Sequence, residues 1–293
     1  MSMKMLIILL LSLLSLLSLA LSSPSLIQSA SDFFNFDYNR VDDFNSDIFR
    51  FFINPATPFL GVFLYLALSK PVFTYIRKTF NIHPKGPVLQ NIVVLHSALL
   101  ALYSGWTMYH TWNIVWNYMK GGAGLVGAVC DYKGQLWYDK GFSYHVLHFY
   151  ISKYYEFFDT WIIILKGREP TLLQEFHHAG IVIFMWAAYV SSASLVLIVV
   201  TFNSFIHTIM YSYYVAAAYG FKSTLKQYLT IAQITQFLIG MTITIPTHFI
   251  KDCLSPSAKF VAIVTQGYTV ALILLFVLFY KEAYKPKPKQ LKE

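Results

Sequence analysis

Charged residues are scarce in this 293-residue chain, since Asp, Glu, Lys and Arg make up 12% of it. Soluble domains carry about 25%. Hydrophobic residues account for 56% of the chain, and Tyr and Phe are abundant. Several apolar runs approach the roughly 20 residues that cross a bilayer as a helix. The composition excludes an ordinary soluble domain and predicts an all-α, polytopic membrane protein.

Cysteines and clustered basic residues are also few. The two cysteines, Cys130 and Cys253, exclude a disulfide-rich scaffold and a cysteine-rich metal site. The formal net charge is +8, but the basic residues lie in short loops and at the tail. No basic domain gathers them into a nucleic-acid surface. The charge therefore indicates membrane topology first, and no nucleic-acid partner is expected.

The chain divides into four predicted parts. Residues 1–23 place a lysine before a Leu-rich run and small residues, a pattern typical of a secretory signal peptide or of an uncleaved first helix. Residues 24–56 are predicted as a lumenal or interfacial segment, 57–281 as a seven-helix domain and 282–293 as a basic cytosolic tail. The seven predicted spans are 57–76, 90–113, 143–165, 172–190, 194–219, 227–247 and 258–280.

Alternate connections differ in their content of Lys and Arg. The basic tail and the connections on its side hold more of them than the other side, which assigns the richer side to the cytosol and the N-terminus to the lumen. Cys130 and Cys253 then both fall in lumenal connections, where a bridge can form. A Cys130–Cys253 disulfide is predicted, with two unpaired thiols as the alternative.

Four predicted spans carry polar side chains three or four positions apart, a spacing that puts them on one helix face. The stripes are Lys153, Glu156 and Asp159; Gln174, His177 and His178; Asn203 and His207; and Gln233 and Gln236. Charges and imidazoles are costly in hydrocarbon. Four such stripes favour a polar pocket inside a helix bundle over hydrogen bonds that only join helices.

Three kinds of chemistry suit such a pocket. Histidines can ligate a metal, and the QxxHH run resembles the last histidine box of di-iron lipid desaturases and hydroxylases, but only His145 and His148 form a second pair. Imidazoles can also act as acids, bases or nucleophiles on an acyl group. In a seven-span transporter or receptor they could relay protons, although no internal repeat supports a transporter. The remaining histidines, His83, His96, His110 and His248, show no pattern and are predicted to be structural.

Four ordered motifs resemble those of the ELO family of very-long-chain fatty acid elongases, which are membrane 3-ketoacyl-CoA synthases. KYYEFFDT (153–160) resembles the family's KxxExxDT motif, and LLQEFHH (172–178) resembles its HxxHH box. NSFIHTIMYSYY (203–214) resembles the motif that runs from Asn to Tyr, and TIAQITQF (230–237) resembles TxxQxxQF. Gln174 stands where the box has its first His. This QxxHH variant resembles the elongases of polyunsaturated acyl chains.

The resemblance implies a reaction and its setting. Acyl-CoA and malonyl-CoA would condense to a 3-ketoacyl-CoA two carbons longer, with release of CO2 and CoA and without a metal or other cofactor. Six of the seven helices would surround an enclosed acyl tunnel. The enzyme would lie among the lipids of the endoplasmic reticulum membrane beside a ketoreductase, a dehydratase and an enoyl reductase, and it could form homo-oligomers.

The resemblance and the polar stripes together give candidate site residues. The catalytic candidates are His177, His178, His207, Gln174 and Asn203. The supporting or substrate-binding candidates are Lys153, Glu156, Asp159, Thr160, Tyr211, Tyr214, Gln233 and Gln236. The candidate CoA-phosphate contacts are Lys166, Arg168, Lys222 and Lys226, which could equally serve as topology determinants alone. A ping-pong path would acylate His177, or else His207, whereas a single-step path would use the histidines only as base and hydrogen-bond donors.

Overall fold

The computed structural model describes residues 24–34, 36, 47–221 and 225–284. Within these residues all regular structure is helical and no strand is present. The helices in chain order are α1 (Pro24–Phe34), α2 (Asp47–Ile53), α3 (Ala56–Thr79), α4 (Pro87–Tyr118), α5 (Gly124–Cys130), α6 (Phe142–Tyr155), α7 (Phe157–Leu165), α8 (Leu172–Val190), α9 (Leu197–Ala218), α10 (Leu225–Thr244) and α11 (Pro256–Ala283). The predicted signal-like residues 1–23 and most of the basic tail lie outside the described residues.

Seven long helical passes lie at the seven predicted positions, which confirms an all-α membrane protein. Five of them, α3, α4, α9, α10 and α11, are long and apolar enough to cross a bilayer. The other two are α8 and the broken pass formed by α6 and α7. These two carry Lys153, Glu156 and Asp159 and four of the nine histidines. The number of membrane crossings stays a prediction.

The pass predicted over 143–165 is two helices rather than one. Helix α6 ends at Tyr155 and α7 begins at Phe157, so the break falls at Glu156. The Asp159 backbone N–H bonds to the Glu156 carbonyl in a tight turn. Interruptions of a helix commonly mark functional positions, and this one lies inside the KxxExxDT motif.

Six helical passes form a closed ring. Around the ring, α4 packs on α6, α6 on α8, α8 on α11, α11 on α10, α10 on α9 and α9 on α4. Helices α4 and α9 make the most extensive contact of all. Helix α3 lies outside the ring against α7 and α8. The arrangement leaves an interior between six passes, as the resemblance implies.

The two ends of the ring differ in chemistry. At one end Cys130 and Cys253 are joined by a disulfide, the pairing predicted from the loop assignment. We call this the disulfide end; it includes α5 and the turn between α8 and α9. The opposite end, which we call the basic end, holds Arg77 and the connection from α7 to α8 with Lys166 and Arg168.

Candidate active site

A buried ion pair lies at the break between α6 and α7. Lys153 Nζ is 2.5 Å from Glu156 Oε1, and each side chain is only 2% exposed. Lys153 Nζ also donates to Asn203 Oδ1 at 3.3 Å. A buried pair is tolerated when such further hydrogen bonds compensate for lost hydration. Glu156 Oε2, however, is buried and has no hydrogen-bond partner among the described residues.

Asn203 connects the ion pair to His207. Its Nδ2 lies 3.2 Å from His207 Nε2. Because Asn203 Oδ1 accepts from Lys153, the amide nitrogen is free to donate, and His207 Nε2 then accepts. That arrangement leaves the proton on His207 Nδ1, which lies 3.5 Å from Glu156 Oε1. This distance is long for a hydrogen bond, so His207 can still shift toward another partner.

Asp159 organises a second polar group. Its Oδ2 accepts from Tyr211 Oη at 2.7 Å, and its Oδ1 lies 3.0 Å from His96 Nε2. The sequence analysis predicted His96 to be a structural histidine and named no partner for it. His96 is 4% exposed and contacts the predicted Asp159 directly. Sequence spacing gives no sign of it because the two residues belong to different helices, 63 positions apart.

Gln174 belongs to a third polar group, with Thr160 and Tyr65. Its Nε2 donates to Thr160 Oγ1 at 3.3 Å, and that hydroxyl lies 2.7 Å from Tyr65 Oη. Thr171 caps the start of α8 by accepting from the Gln174 backbone N–H. Tyr65 comes from α3, outside the ring, and no motif contains it. Gln174, His177 and His178, which were predicted to share one face of the helix, therefore do not all join the same polar group.

The adjacent histidines, His177 and His178, lie in different surroundings. His177 lines the interior cavity, whereas His178 is buried with its ring 6.4 Å from that of Tyr65. Their rings are 5.5 Å apart, and Nδ1 of each is buried without a hydrogen-bond partner. Tyr268 Oη donates to the His177 carbonyl at 3.0 Å. A Cβ atom at position 180 would lie only 2.3 Å from the Tyr268 ring, so glycine is required at this position.

The interior cavity is long and apolar. It lies among side chains of α8, α9, α10 and α11, and most of its lining residues are apolar. His177, Asn203 and Gln236 provide part of its polar lining. From His177 the α8 side of the cavity continues through Ile181 and Met185 toward the disulfide end.

Several buried polar atoms in and beside this cavity have no hydrogen-bond partner among the described residues. They include Glu156 Oε2, Gln236 Oε1 and Nδ1 of His177, His178 and His207. Buried polar atoms in proteins are nearly always hydrogen-bonded, and exceptions call for a functional or ligand-related explanation. The arrangement is suited to a substrate that brings its own hydrogen-bonding groups. Gln233 differs from Gln236, since its amide contacts Met210 Sδ at 3.4 Å.

The candidate CoA-phosphate residues lie at the basic end where they are described. Lys166 is half-buried, and Arg168 and Lys226 are exposed; Lys222 lies outside the described residues. Burial, with a smaller effect from Arg168, lowers the pKa of Lys166. Arg77, which the sequence assigned only to topology, packs against Gly167 and has a buried Nε without a partner.

Two other residues named in the sequence analysis, Tyr214 and His145, lie away from the centre of the site. Tyr214 contacts the Tyr211 ring edge at 5.9 Å and is 39% exposed, so it lies at the margin of the site. His145 stacks on His110 with ring centroids 5.4 Å apart, away from the motif histidines. In the described part of the chain, no three His, Cys, Asp or Glu side chains are placed to hold a metal ion.

Comparisons with known proteins agree on one family. The sequence profile of the ELO (GNS1/SUR4) family matches residues 50–292. The chain is 33% identical to fatty acid elongase sre1 of Dictyostelium discoideum over 219 residues, which are 70% of this chain and 77% of that protein. It is 31% identical to fatty acid elongase 2 of Trypanosoma brucei brucei over 177 residues, 57% of this chain and 65% of that protein. It is 30% identical to very long chain fatty acid elongase 2 of Mus musculus over 214 residues, 70% of each.

Proposed function

The chain belongs to the ELO (GNS1/SUR4) family, and on that premise we propose that it condenses a long-chain acyl-CoA with malonyl-CoA. The products are a 3-ketoacyl-CoA two carbons longer, CO2 and CoA. One observation carries the proposal: a largely apolar cavity inside the bundle has His177 in its lining. The buried network of Lys153, Glu156, Asn203 and His207 is suited to supply charge and protons beside it.

The cavity suits an acyl chain because its walls are almost wholly hydrocarbon and aromatic. Each methylene buried there contributes about 0.8 kcal/mol to binding. His177 and Asn203 both line the cavity, and a thioester carbonyl would lie beside them if the chain extended toward the disulfide end. This placement puts the reacting carbon beside imidazoles and the tail among apolar side chains.

An imidazole is the best candidate for a nucleophile. The chain has two cysteines, and both are engaged in the disulfide. In the ping-pong path His177 Nε2 attacks the thioester carbonyl, the carbon–sulfur bond breaks, and CoA leaves as a thiolate. The proton released from His177 Nδ1 neutralises the thiolate, which leaves a neutral acyl-imidazole. Loss of CO2 from malonyl-CoA then generates an enolate that attacks this acyl carbon. The bond to His177 Nε2 breaks, and the imidazole takes up one proton from solvent to return to its neutral form.

The network around Lys153 suits the charges that develop in both steps. The Lys153 ammonium and the Asn203 amide are buried donors, and fixed donors in a dry site stabilise an oxyanion or enolate strongly. His207, between Asn203 and Glu156, can hold or pass a proton. Gln174 supports the site through Thr160 and Tyr65, a role in positioning rather than in direct contact with the acyl carbonyl.

The basic end is the proposed CoA entrance. Lys166, Arg168 and Lys226, with Arg77, would face CoA phosphates on the cytosolic side of the endoplasmic reticulum membrane, and the disulfide end would face the oxidising lumen. The 3-ketoacyl-CoA product needs a ketoreductase, a dehydratase and an enoyl reductase to complete a cycle. The QxxHH variant favours polyunsaturated acyl-CoA as a substrate class.

A condensation assay tests the proposal. Purified protein or membranes would receive labelled malonyl-CoA and a panel of saturated and polyunsaturated acyl-CoAs, with the 3-ketoacyl product measured directly. We expect product from the unaltered chain and none from His177→Ala. His145→Ala is the matched control, because His145 is also a buried membrane histidine but lies outside the network. Absence of product from every acyl-CoA with folded protein would contradict the proposal.

Trapping separates the two chemical paths. Incubation with acyl-CoA alone, followed by denaturation and mass spectrometry, should reveal an acyl adduct on His177 with one equivalent of CoA released. Malonyl-CoA added afterwards should discharge it. If turnover proceeds and no histidine adduct forms, the single-step path replaces the ping-pong path.

A further inference from the structure

The apolar cavity stops at a short turn between α8 and α9. This turn, residues 191–196, contributes Ala193, Leu195 and Val196 to the end of the cavity. Ala193 also lines a second, polar cavity at the disulfide end, together with Asp131 and both cysteines. The turn is therefore the partition between the acyl cavity and the polar cavity behind it.

We propose that Asp131, although it does not line the acyl cavity, sets the longest acyl chain that the enzyme accepts, by holding this turn in place. The proposal rests on the proposed elongase function. Asp131 is a positioning residue here, because it acts on the substrate only through the turn. Asp131 lies in none of the four family motifs, and the sequence analysis did not name it as a candidate.

Asp131 is tied to the turn and to its own segment. Its Oδ2 accepts from Ser194 Oγ at 3.2 Å and from the Trp137 backbone N–H at 2.8 Å. Its Oδ1 accepts from the Leu136 backbone N–H at 3.0 Å and from Tyr118 Oη at 3.3 Å. The residue is 7% exposed. Hydrogen bonds to a buried carboxylate are among the stronger ones in proteins, and one of the four that Asp131 accepts comes from the turn, at Ser194.

Neighbouring contacts fix the same turn from the same segment. Tyr138 Oη lies 3.0 Å from Ser192 Oγ, and the Trp137 ring packs 5.9 Å from that of Tyr189 at the end of α8. Ser192 has a φ of 48°, a left-handed conformation that its surroundings must hold.

The disulfide anchors this assembly to the rest of the bundle. Cys130 directly precedes Asp131, and its partner Cys253 lies between α10 and α11. The bridge therefore joins the segment that holds the turn to the connection that begins α11. Three connections at this end of the ring are linked through Asp131 and the disulfide, so the turn cannot yield without moving its neighbours.

Energies explain why a held turn would limit chain length. His177 and Ala188 both line the cavity, and their separation on α8 corresponds to about 17 Å. Each further methylene buried against an apolar wall favours binding, but displacing the turn would break hydrogen bonds to a buried charged group, which are among the stronger ones in proteins. The held turn therefore opposes binding of a longer chain.

The test measures the longest acyl-CoA that supports one condensation, with purified enzyme, labelled malonyl-CoA and acyl-CoAs of increasing length. Ser194→Ala and Asp131→Asn should raise this limit by one or two elongation steps. Ser191→Ala is the matched control for the hydroxyl, since Ser191 Oγ donates to the Ala188 carbonyl of the preceding helix and, among the described residues, to no side chain. Asp252→Asn controls for the carboxylate, because Asp252 lines the same polar cavity but is exposed. Neither control should move the limit.

A third variant keeps the test decisive if Asp131→Asn fails to fold. Ala193→Leu adds bulk at the end of the cavity and should lower the limit by at least one elongation step. The proposal is overturned if folded Ser194→Ala retains the original limit, or if Ala193→Leu leaves it unchanged. Failure of the unaltered enzyme to condense any acyl-CoA would instead overturn the proposed function, and with it this inference.

Discussion

The centre of the bundle and its disulfide end each contain a buried carboxylate, and the two are treated in opposite ways. Asp131 at the disulfide end accepts from two backbone N–H groups, a serine and a tyrosine. Glu156 at the centre is bonded to Lys153 through Oε1, while its Oε2 has no partner. Burial is nearly complete in both cases.

The two carboxylates differ in whether both oxygen atoms have hydrogen-bond partners, and not in how deeply they are buried. A carboxylate whose oxygens all have donors is a structural element, because any change of partner costs hydrogen bonds. A buried carboxylate with an unpartnered oxygen is energetically unfavourable, and here it lies close to imidazoles that also lack partners. Such groups cluster at functional sites, and we expect the predictions below to separate the two roles.

The largest effect should come from the central pair. Glu156→Gln leaves the Lys153 ammonium buried without its counter-charge, which costs about 3–5 kcal/mol, and it should abolish condensation. The double variant Lys153→Met with Glu156→Leu replaces the pair by apolar side chains of similar size. We expect it to recover thermal stability, measured by tryptophan fluorescence, and to remain inactive.

That double variant is the sharpest test of the comparison. Recovery of stability without activity would show that the charges serve the reaction. If the apolar replacement restored condensation as well, Glu156 would be structural in the same sense as Asp131, and the distinction between the two carboxylates would be lost.

At the other end, Asp131→Ala should affect stability and spare the chemistry. Its four donors would lose their acceptor, and each unsatisfied buried group costs about 1–3 kcal/mol. The midpoint of thermal unfolding should fall clearly below that of Asp252→Ala, the exposed carboxylate nearby. Turnover of a short acyl-CoA, expressed per folded molecule, should stay unchanged; a loss as complete as that of Glu156→Gln would contradict the assignment.

A smaller effect is expected at the edge of the central network. Tyr211→Phe removes only the hydroxyl that donates to Asp159. A hydrogen bond to a charged group is worth about 1.5–3 kcal/mol, so kcat should fall by about tenfold or more if that bond fixes Asp159 in the transition state. Tyr213→Phe, two positions along and hydrogen-bonded to neither site carboxylate in the described residues, is the control. Equal kinetics for the two variants would remove Tyr211 from the site.

Much of this architecture is predictable from the sequence because periodicity and composition act locally. Apolar runs predicted the helical passes. Spacings of three and four residues predicted that Lys153 lies beside Glu156 and that Asn203 lies beside His207. Loop assignment gave the disulfide partners. Each of these inferences needs only residues close in sequence, or the side of the membrane on which a loop lies.

The missing parts depend on long-range contacts. His96 and Asp159 are 63 residues apart, and Tyr65 and Thr160 are 95 apart. Asp131 meets Ser194 across 63 positions. No local pattern marks such partners, since a lone histidine, tyrosine or aspartate in a loop or helix has many ordinary roles. Only packing of the helices decides which of them meet.

The smallest effect is expected at Gln174, where the family's usual histidine is replaced. Its amide donates to Thr160 and does not line the acyl cavity. An imidazole at this position can also donate to that hydroxyl. Gln174→His should therefore keep most of the condensing activity and leave the ratio of rates with polyunsaturated and saturated acyl-CoAs unaltered. Gln174→Leu, which has no donor, should lose more activity than Gln174→His. A change of substrate preference in Gln174→His, measured with the acyl-CoA panel at equal protein, would place this residue in contact with the acyl chain and require a different arrangement of α8 during turnover.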